Sequence, residues 1–333
     1  MAPAFQRAAF DFADVGSIVP ASIRTDPAST RNPLMTISHS TPDGDAYLNL
    51  RKLAKTQQRP TNEMLNLYAL EGFLDRLTQS SHVDEFVLKG GVLLAAFDTR
   101  RATRDVDLHA DSISNDAGNV QLVISSIANV PIEDGLIFDT ESASSEVIRD
   151  EDEYSGVRVT MPCTLATANV SFHVDVNVGD AIWPEPEIVE LPRLLGGTIQ
   201  IRGYSIEMVL AEKIVTAIQR GTANTRWRDL FDIFKLSHGS TISETTLRGA
   251  ISTVSEGRAA VIIPLADALI GYAAVAQVRW AAWVRKQGLE KRIPIDFGIV
   301  LSWIIDFVDP ILGSEDHRRL WQAGSSDWEV DHG

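Results

Sequence analysis

The segment that most restricts the fold is Arg101-Ala102-Thr103-Arg104-Asp105-Val106-Asp107-Leu108, whose residues alternate as they do along a half-buried β-strand. Side chains two apart in a strand share a face. Asp105 and Asp107 therefore present two carboxylates side by side, and Val106 and Leu108 anchor the opposite face in a core. Adjacent carboxylates repel unless a cation lies between them, and hard oxygen donors suit Mg²⁺. The same alternation places Arg101 and Thr103 on the carboxylate face, where a cation and a hydroxyl can hold phosphate oxygens. Upstream, the apolar run Phe86-Val87-Leu88 leads into Lys89-Gly90-Gly91, with thirteen residues between Gly91 and Asp105. Glycines there let backbone N–H groups approach a phosphate without a Cβ in the way. Taken singly, an Asp-x-Asp arises by chance in acidic proteins and Gly-Gly commonly marks a turn; their order and spacing are the more specific feature.

A second alternating segment, Ala168 to Val178, sets His173, Asp175 and Asn177 on its polar face. Asp175 is a candidate third carboxylate for the same cation, and His173 reads as an ordinary polar residue on a strand face. The spacing predicts a helix opening at Thr61, a helix over Gln121–Ala128, and several β segments between Ile132 and Asp180. From Ser205, a plausible N-cap, the chain reads as helical, with an apolar stripe of Leu210, Ile214, Ala217 and Ile218. Further helices are expected over residues 226–237, 260–287 and 297–308, and the Trp-rich stretch Val278–Trp283 reads as helix packing. The expected architecture is α+β: a mixed sheet with flanking helices in the N-terminal half and an α-helical C-terminal half. The expected divisions are an irregular arm over 1–60, a catalytic domain over 61–200 and a helical domain over 201–333.

The net charge of −15 at first opposes a nucleic-acid partner, because phosphate binding is driven by Lys and Arg. Its distribution weakens the objection. Residues 101–185 hold 16 acids against 4 bases, which accounts for most of the excess, and Asp150-Glu151-Asp152-Glu153 fits an exposed acidic loop. The flanks are near neutral, with Arg101, Arg104, Lys213, Arg220, Arg226 and Arg228 close to the motifs as a candidate basic rim. The single cysteine, Cys163, excludes an intrachain disulfide and a Cys-based zinc site. No run approaches the roughly 20 apolar residues of a membrane span, and the first residues lack the basic and apolar regions of an export signal. A cytoplasmic location with no membrane partner is expected.

Leu88-Lys89-Gly90-Gly91 followed by Arg101-x-Thr103-x-Asp105-x-Asp107 resembles the signature of the DNA polymerase β-type nucleotidyltransferase superfamily, and more narrowly the AbiEii/AbiGii toxin family with its MenT-like members. Further parts of that pattern recur in order. They are Val174-Asp175-Val176 with Gly179-Asp180, then Ala211-Glu212-Lys213 with Ala217 and Arg220, then Arg228-Asp229-Leu230-Phe231-Asp232-Ile233. The resemblance covers about residues 60–240. It implies that Asp105 and Asp107 bind metal, with Asp175 assisting. It also implies that Lys213 neutralises developing phosphate charge and that Asp229 is the acidic residue of the last motif, with Asp232 one turn later. The candidate nucleotide-binding set is Gly90, Gly91, Arg101, Thr103, Lys213 and Arg220. Arg228-Asp229 also reads as a structural ion pair. The family often has Gly-Ser where this chain has Gly90-Gly91, which removes a hydroxyl contact to phosphate.

The activity implied is that of a toxin-like, metal-dependent nucleotidyltransferase. It would use Mg²⁺, with Mn²⁺ as a substitute, to transfer a nucleoside monophosphate from a nucleoside triphosphate to the 3′ end of tRNA. Translation and growth would stop until a cognate antitoxin relieves them. Three other readings remain open at this point: transfer to a hydroxyl of a protein, a catalytically inactive nucleotide-binding module, and an aminoglycoside-type enzyme acting on a small molecule.

Overall fold

The computed structural model describes residues 37–149, 155–224, 226–313, 317–324 and 327–331. The acidic run Asp150–Glu153 and the first 36 residues of the expected arm lie outside the described residues. Two helices come first, α1 (Pro42–Gln57) and α2 (Thr61–Gln79). The first is a correction, since residues 42–57 were expected to be irregular. Thr41 caps it by accepting from the Gly44 amide at 3.3 Å, Pro42 suits the first turn, and Ala46, Leu50 and Ala54 recur every four residues as its buried stripe.

The sheet strands are β1 (Phe86–Lys89), β2 (Asp105–Ala110), β3 (Leu136–Phe138), β4 (Ser144–Arg149), β5 (Ser155–Leu165), β6 (Ala168–Val178), β7 (Glu187–Pro192) and β8 (Thr198–Gly203). The short helix α3 (Gly90–Leu93) follows β1, and α4 (Ala117–Ala128) follows β2. The strand order is β3-β5-β6-β2-β1-β8-β7, with β4 paired to β5. β2 runs parallel to β6 and β1 parallel to β8, while the other pairs are antiparallel. This is the expected mixed sheet. The boundary expected at 200/201 falls inside β8.

The remaining elements are α5 (Ile206–Arg220), α6 (Trp227–Gly239), β9 (Ile242–Ser243), α7 (Glu244–Gly257), α8 (Leu265–Ala268), α9 (Tyr272–Lys286), α10 (Phe297–Val308), β10 (Arg319–Trp321) and β11 (Trp328–Val330). The single helix expected over 260–287 is instead α8 and α9, preceded by loop. Pro264 stands before α8, and Gly271 takes a left-handed φ of 74° immediately before α9. The expected helices also left out α7, which Ser243 caps by accepting from the Thr246 amide at 3.3 Å.

One face of the sheet is apolar. Val106, Leu108, Phe172, Val174 and Val176 are fully buried, and Phe73 of α2 meets Phe172 with ring centroids 5.9 Å apart. Such a site makes Phe73→Ala cost about 3–5 kcal/mol. The opposite face carries the polar side chains. α5 enters with Ser205 as its cap, the hydroxyl accepting from the Met208 amide at 3.2 Å. Its apolar residues Leu210, Ile214, Ala217 and Ile218 are buried as expected, and Glu212 and Lys213 are left half-buried at a cleft.

Candidate active site

Strand register builds a row of charge across four strands. Lys89 is the partner of Asp107 across β1–β2, Asp107 is the partner of Asp175 across β2–β6, and Asp175 is the partner of Arg158 across β6–β5. Residues directly opposite share a face, so the row reads cation, anion, anion, cation. Asp105 lies one step along the same face, opposite His173, whose Nδ1 is 3.9 Å from its carboxylate.

The two inner acids are treated differently. Arg158 grips Asp175 with two bonds, Nε to Oδ1 at 2.8 Å and Nη2 to Oδ2 at 2.7 Å. Asp107 has no cation within ion-pair distance among the described residues and accepts the Gly91 amide at 3.3 Å. Burial, then the neighbouring Asp175 and Asp105 charges, push its carboxyl up to about 6 against the partial relief of Lys89. Gly90 is required by this closeness: its φ is 69°, and a Cβ there would lie 1.9 Å from Asp107 Oδ2.

Beside Asp107 opens a cleft of about 200 Å³ between the sheet and α5, α6 and the end of α7. Its cations are engaged with carboxylates. Lys89 Nζ donates to Asp180 at 3.1 Å and Glu212 at 3.3 Å; burial alone would lower its pKa, and Glu212 and Asp180 more than offset this. Lys213 Nζ donates to Asp229 and Asp232, both at 2.9 Å, and again the two carboxylates outweigh burial and hold the ammonium charged. Asp229 is in turn held below the usual carboxylate range: burial raises it, and Lys213 and Arg226 prevail. Arg226 Nε lies 2.8 Å from Asp229, and Arg101 Nε donates to Asp232 at 3.1 Å. Arg258 donates to the Thr216 hydroxyl at 2.8 Å and lies 3.8 Å from Glu212.

The expected residues thus distribute as follows. Gly90, Gly91, Arg101, Asp107, Lys213 and Asp229 all line the cleft, whereas Asp105, Asp175, Thr103 and Arg220 do not. Arg101 and Thr103 reach the region by a route other than strand alternation, because β2 starts only at Asp105 and residues 101–104 have no regular structure. Thr103 instead closes a local turn, its hydroxyl accepting from the Asp105 amide at 3.4 Å. Arg228 does not pair with Asp229 as its motif suggested: its guanidinium lies over the Trp227 ring, 5.5 Å from the centroid. Arg220 ends α5 two turns after Lys213 and does not line the cleft. Sequence reasoning assigned no site role to Lys89, Asp180, Glu212 or Arg258. The first three stood inside quoted motifs, and their in-order recurrence was the available signal; Arg258 sits at the end of the unrecognised α7 and had none.

Whether this site suits a divalent cation is tested by its donor set. Asp105 and Asp107 offer hard oxygens from one strand face, and the raised Asp107 carboxyl marks negative charge that the chain leaves uncompensated. These two residues fit the group. Asp175 is turned to Arg158, and among the described residues no three His, Cys, Asp or Glu side chains already converge on one point.

Asp107 thus stands at the edge of a cleft lined by lysine and arginine, with Asp105 beside it on the same strand face, a setting suited to phosphate groups. The model of the family "Nucleotidyl transferase AbiEii toxin, Type IV TA system" matches residues 72–301, and the chain belongs to that family of nucleotidyltransferases. Among solved structures it is similar to the nucleotidyltransferase toxin MenT4 from Mycobacterium tuberculosis, at 18% identity and a TM-score of 0.46 over 80% of this chain and 99% of that one. It is also similar to JHP933 from Helicobacter pylori, at 15% identity and a TM-score of 0.43 over 80% and 93% of the two chains. No curated protein matches it. Among the described residues no helix is long and apolar enough to cross a membrane.

Proposed function

We propose that this nucleotidyltransferase transfers a nucleoside monophosphate from a nucleoside triphosphate to an RNA hydroxyl, with the 3′ end of tRNA as acceptor. A tRNA so extended cannot be aminoacylated, translation stops in the cytoplasm, and a cognate antitoxin relieves the arrest. The observation that carries the reading is the unpaired Asp107 carboxylate beside Asp105, at the edge of a cleft walled by Lys89, Arg101, Lys213, Arg226 and Arg258.

Asp105 and Asp107 would hold Mg²⁺, with Mn²⁺ as a substitute, and Asp175 would join them once Arg158 releases it. The bound ion supplies Lewis-acid charge that orients the phosphates and acidifies the acceptor hydroxyl. The acceptor oxygen would bond to the α-phosphorus and lose its proton to solvent, while the bond from that phosphorus to the oxygen bridging to the β-phosphate breaks and pyrophosphate leaves.

The chain's own part is electrostatic. Asp229 and Asp232 hold the Lys213 ammonium charged and fixed, so its charge faces the leaving phosphates without reorganisation at the moment of reaction. Arg101, Arg226 and Arg258 exchange carboxylate partners for phosphate oxygens as the nucleotide enters. In this reading residues 61–200 form the catalytic domain, and residues 201–333 lend it Lys213 and Asp229. Incubation with each labelled nucleoside triphosphate and total tRNA, followed by nuclease or protease digestion, tests the assignment. Nuclease-sensitive label is expected; label removed only by protease would make a protein hydroxyl the acceptor.

A further inference from the structure

We propose that the outward face of α9 and the turn after it dock the phosphodiester backbone of the RNA acceptor, an inference that rests on the acceptor reading above. Residues 272–292 carry five cations, Arg279, Arg285, Lys286, Lys291 and Arg292, against one acid, Glu290, in a chain whose net charge is −15. All five are exposed, and none has a carboxylate within ion-pair distance among the described residues. The cleft cations Lys89, Arg101, Lys213 and Arg226 are, by contrast, each engaged by carboxylates. Cations free to meet a long polyanion therefore lie outside the cleft, and α9 with the turn after it holds five of them.

The pattern exceeds what a solvated helix face requires. The inner face of α9 is Tyr272, Ala276, Trp280 and Val284, every fourth residue, all buried. The rest shows one sign of charge with exposed Val275 and Val278, where a face made only for solubility mixes both signs. Favourable interaction with the helix dipole accounts for Arg285 and Lys286 in the last turn. It does not account for Arg279, Lys291 or Arg292.

Aromatic packing holds α9 against α6, whose start borders the cleft. Trp283 meets Trp227 and Phe231 of α6 with centroids 5.0 and 4.8 Å apart, and Trp280 meets Trp227 at 5.9 Å. Trp227 follows Arg226, which lines the cleft, and carries the Arg228 guanidinium on its ring. Arg226 and Arg228 thus stand at the start of α6, and α9 packs against that helix. A polyphosphate backbone fits the cluster of unpaired cations on α9 and the turn after it, since its affinity comes from neutralising successive phosphates.

The test uses the full chain and labelled total tRNA, with binding measured between about 50 and 200 mM salt and nucleotide transfer at steady state. Two variants reverse charge at separate places, R285E/K286E on the helix and K291E/R292E in the turn. Each is expected to weaken tRNA binding at least about tenfold and to flatten the salt dependence by about 1.5 in log–log slope. KM for RNA should rise while KM for the nucleotide and the unfolding midpoint stay unchanged. Wild type that labels RNA, with both variants keeping its affinity and salt slope, overturns the docking surface and leaves the acceptor reading intact. Wild type that neither binds nor labels RNA overturns the acceptor reading and the surface with it. Loss of binding to an acidic protein partner, with RNA binding unaffected, assigns the face to that partner and overturns the proposal.

Discussion

Asp107 and Asp175 stand side by side across the parallel β2–β6 pair without sharing a cation: Arg158 takes Asp175 at 2.8 and 2.7 Å, and Asp107 accepts the Gly91 amide at 3.3 Å. The asymmetry leaves one carboxylate without a compensating cation among the described residues, at the site proposed for the nucleotide. Several consequences can be measured.

The Asp107 carboxyl, pushed from 3.8 to about 6 chiefly by burial, opposes folding when charged. Its folded pKa lies above its unfolded one, so stability is full below about pH 4, falls as pH rises to about 6, and stays reduced above. In the metal-free protein, Asp107→Asn is expected to raise unfolding free energy near neutral pH by on the order of 3 kcal/mol, with the gain vanishing towards pH 4. Transfer activity should disappear. Urea unfolding at several pH values checks this, and a gain independent of pH would contradict it.

In the proposed function a divalent cation competes with Arg158 for Asp175. Arg158→Met leaves the carboxylate buried and unpaired beside Asp107, and is expected to cost about 1–3 kcal/mol in metal-free buffer. Mg²⁺ should raise the melting temperature of this variant more than that of wild type, since metal at 100 times its Kd contributes about 2.7 kcal/mol. Equal shifts would remove Asp175 from the metal site.

Lys213 pairs with two buried carboxylates, the proposed function adds a chemical role, and the two can be separated. Lys213→Met leaves Asp229 to Arg226 alone and Asp232 to Arg101 alone, and should destabilise the chain by about 1–3 kcal/mol. Adding Asp229→Asn removes one of the two weakened buried charges, with Arg101 still holding Asp232. The double variant should recover most of the stability in denaturant titration and none of the activity. Recovery of activity would exclude Lys213 from the chemistry.

Arg258 was invisible to motif reading, yet its guanidinium reaches the cleft from the end of α7. Arg258→Ala is expected to raise KM for the nucleoside triphosphate about tenfold, the effect of losing one charge-assisted phosphate contact of roughly 1.5 kcal/mol. An unchanged KM would restrict Arg258 to bracing Glu212 and Thr216.

What could be read from the sequence was local and periodic. Alternation placed Asp105, Asp107, His173 and Asp175 on strand faces, and helical spacing with a serine cap placed Lys213 on α5. What could not be read depends on strand order and long side chains. That Asp175 belongs to Arg158 follows from β5 lying beside β6, a pairing that periodicity does not encode. That Arg101 turns to Asp232 across 131 residues of chain follows from α6 closing over the sheet. The segments that misled are those where local grammar was overridden or weak: residues 42–57, polar enough to resemble a loop, and residues 260–287, where Pro264 and Gly271 interrupt an otherwise helical composition.

The most direct test of the central claim is transfer of label from a nucleoside triphosphate to tRNA by purified protein with Mg²⁺. Wild type is compared with a variant carrying Asp105→Ala and Asp107→Ala, after a melting curve has shown that the variant is folded. The account predicts labelled tRNA 3′ ends with wild type and none with the variant, at any Mg²⁺ concentration. Transfer retained by the folded double variant would contradict it.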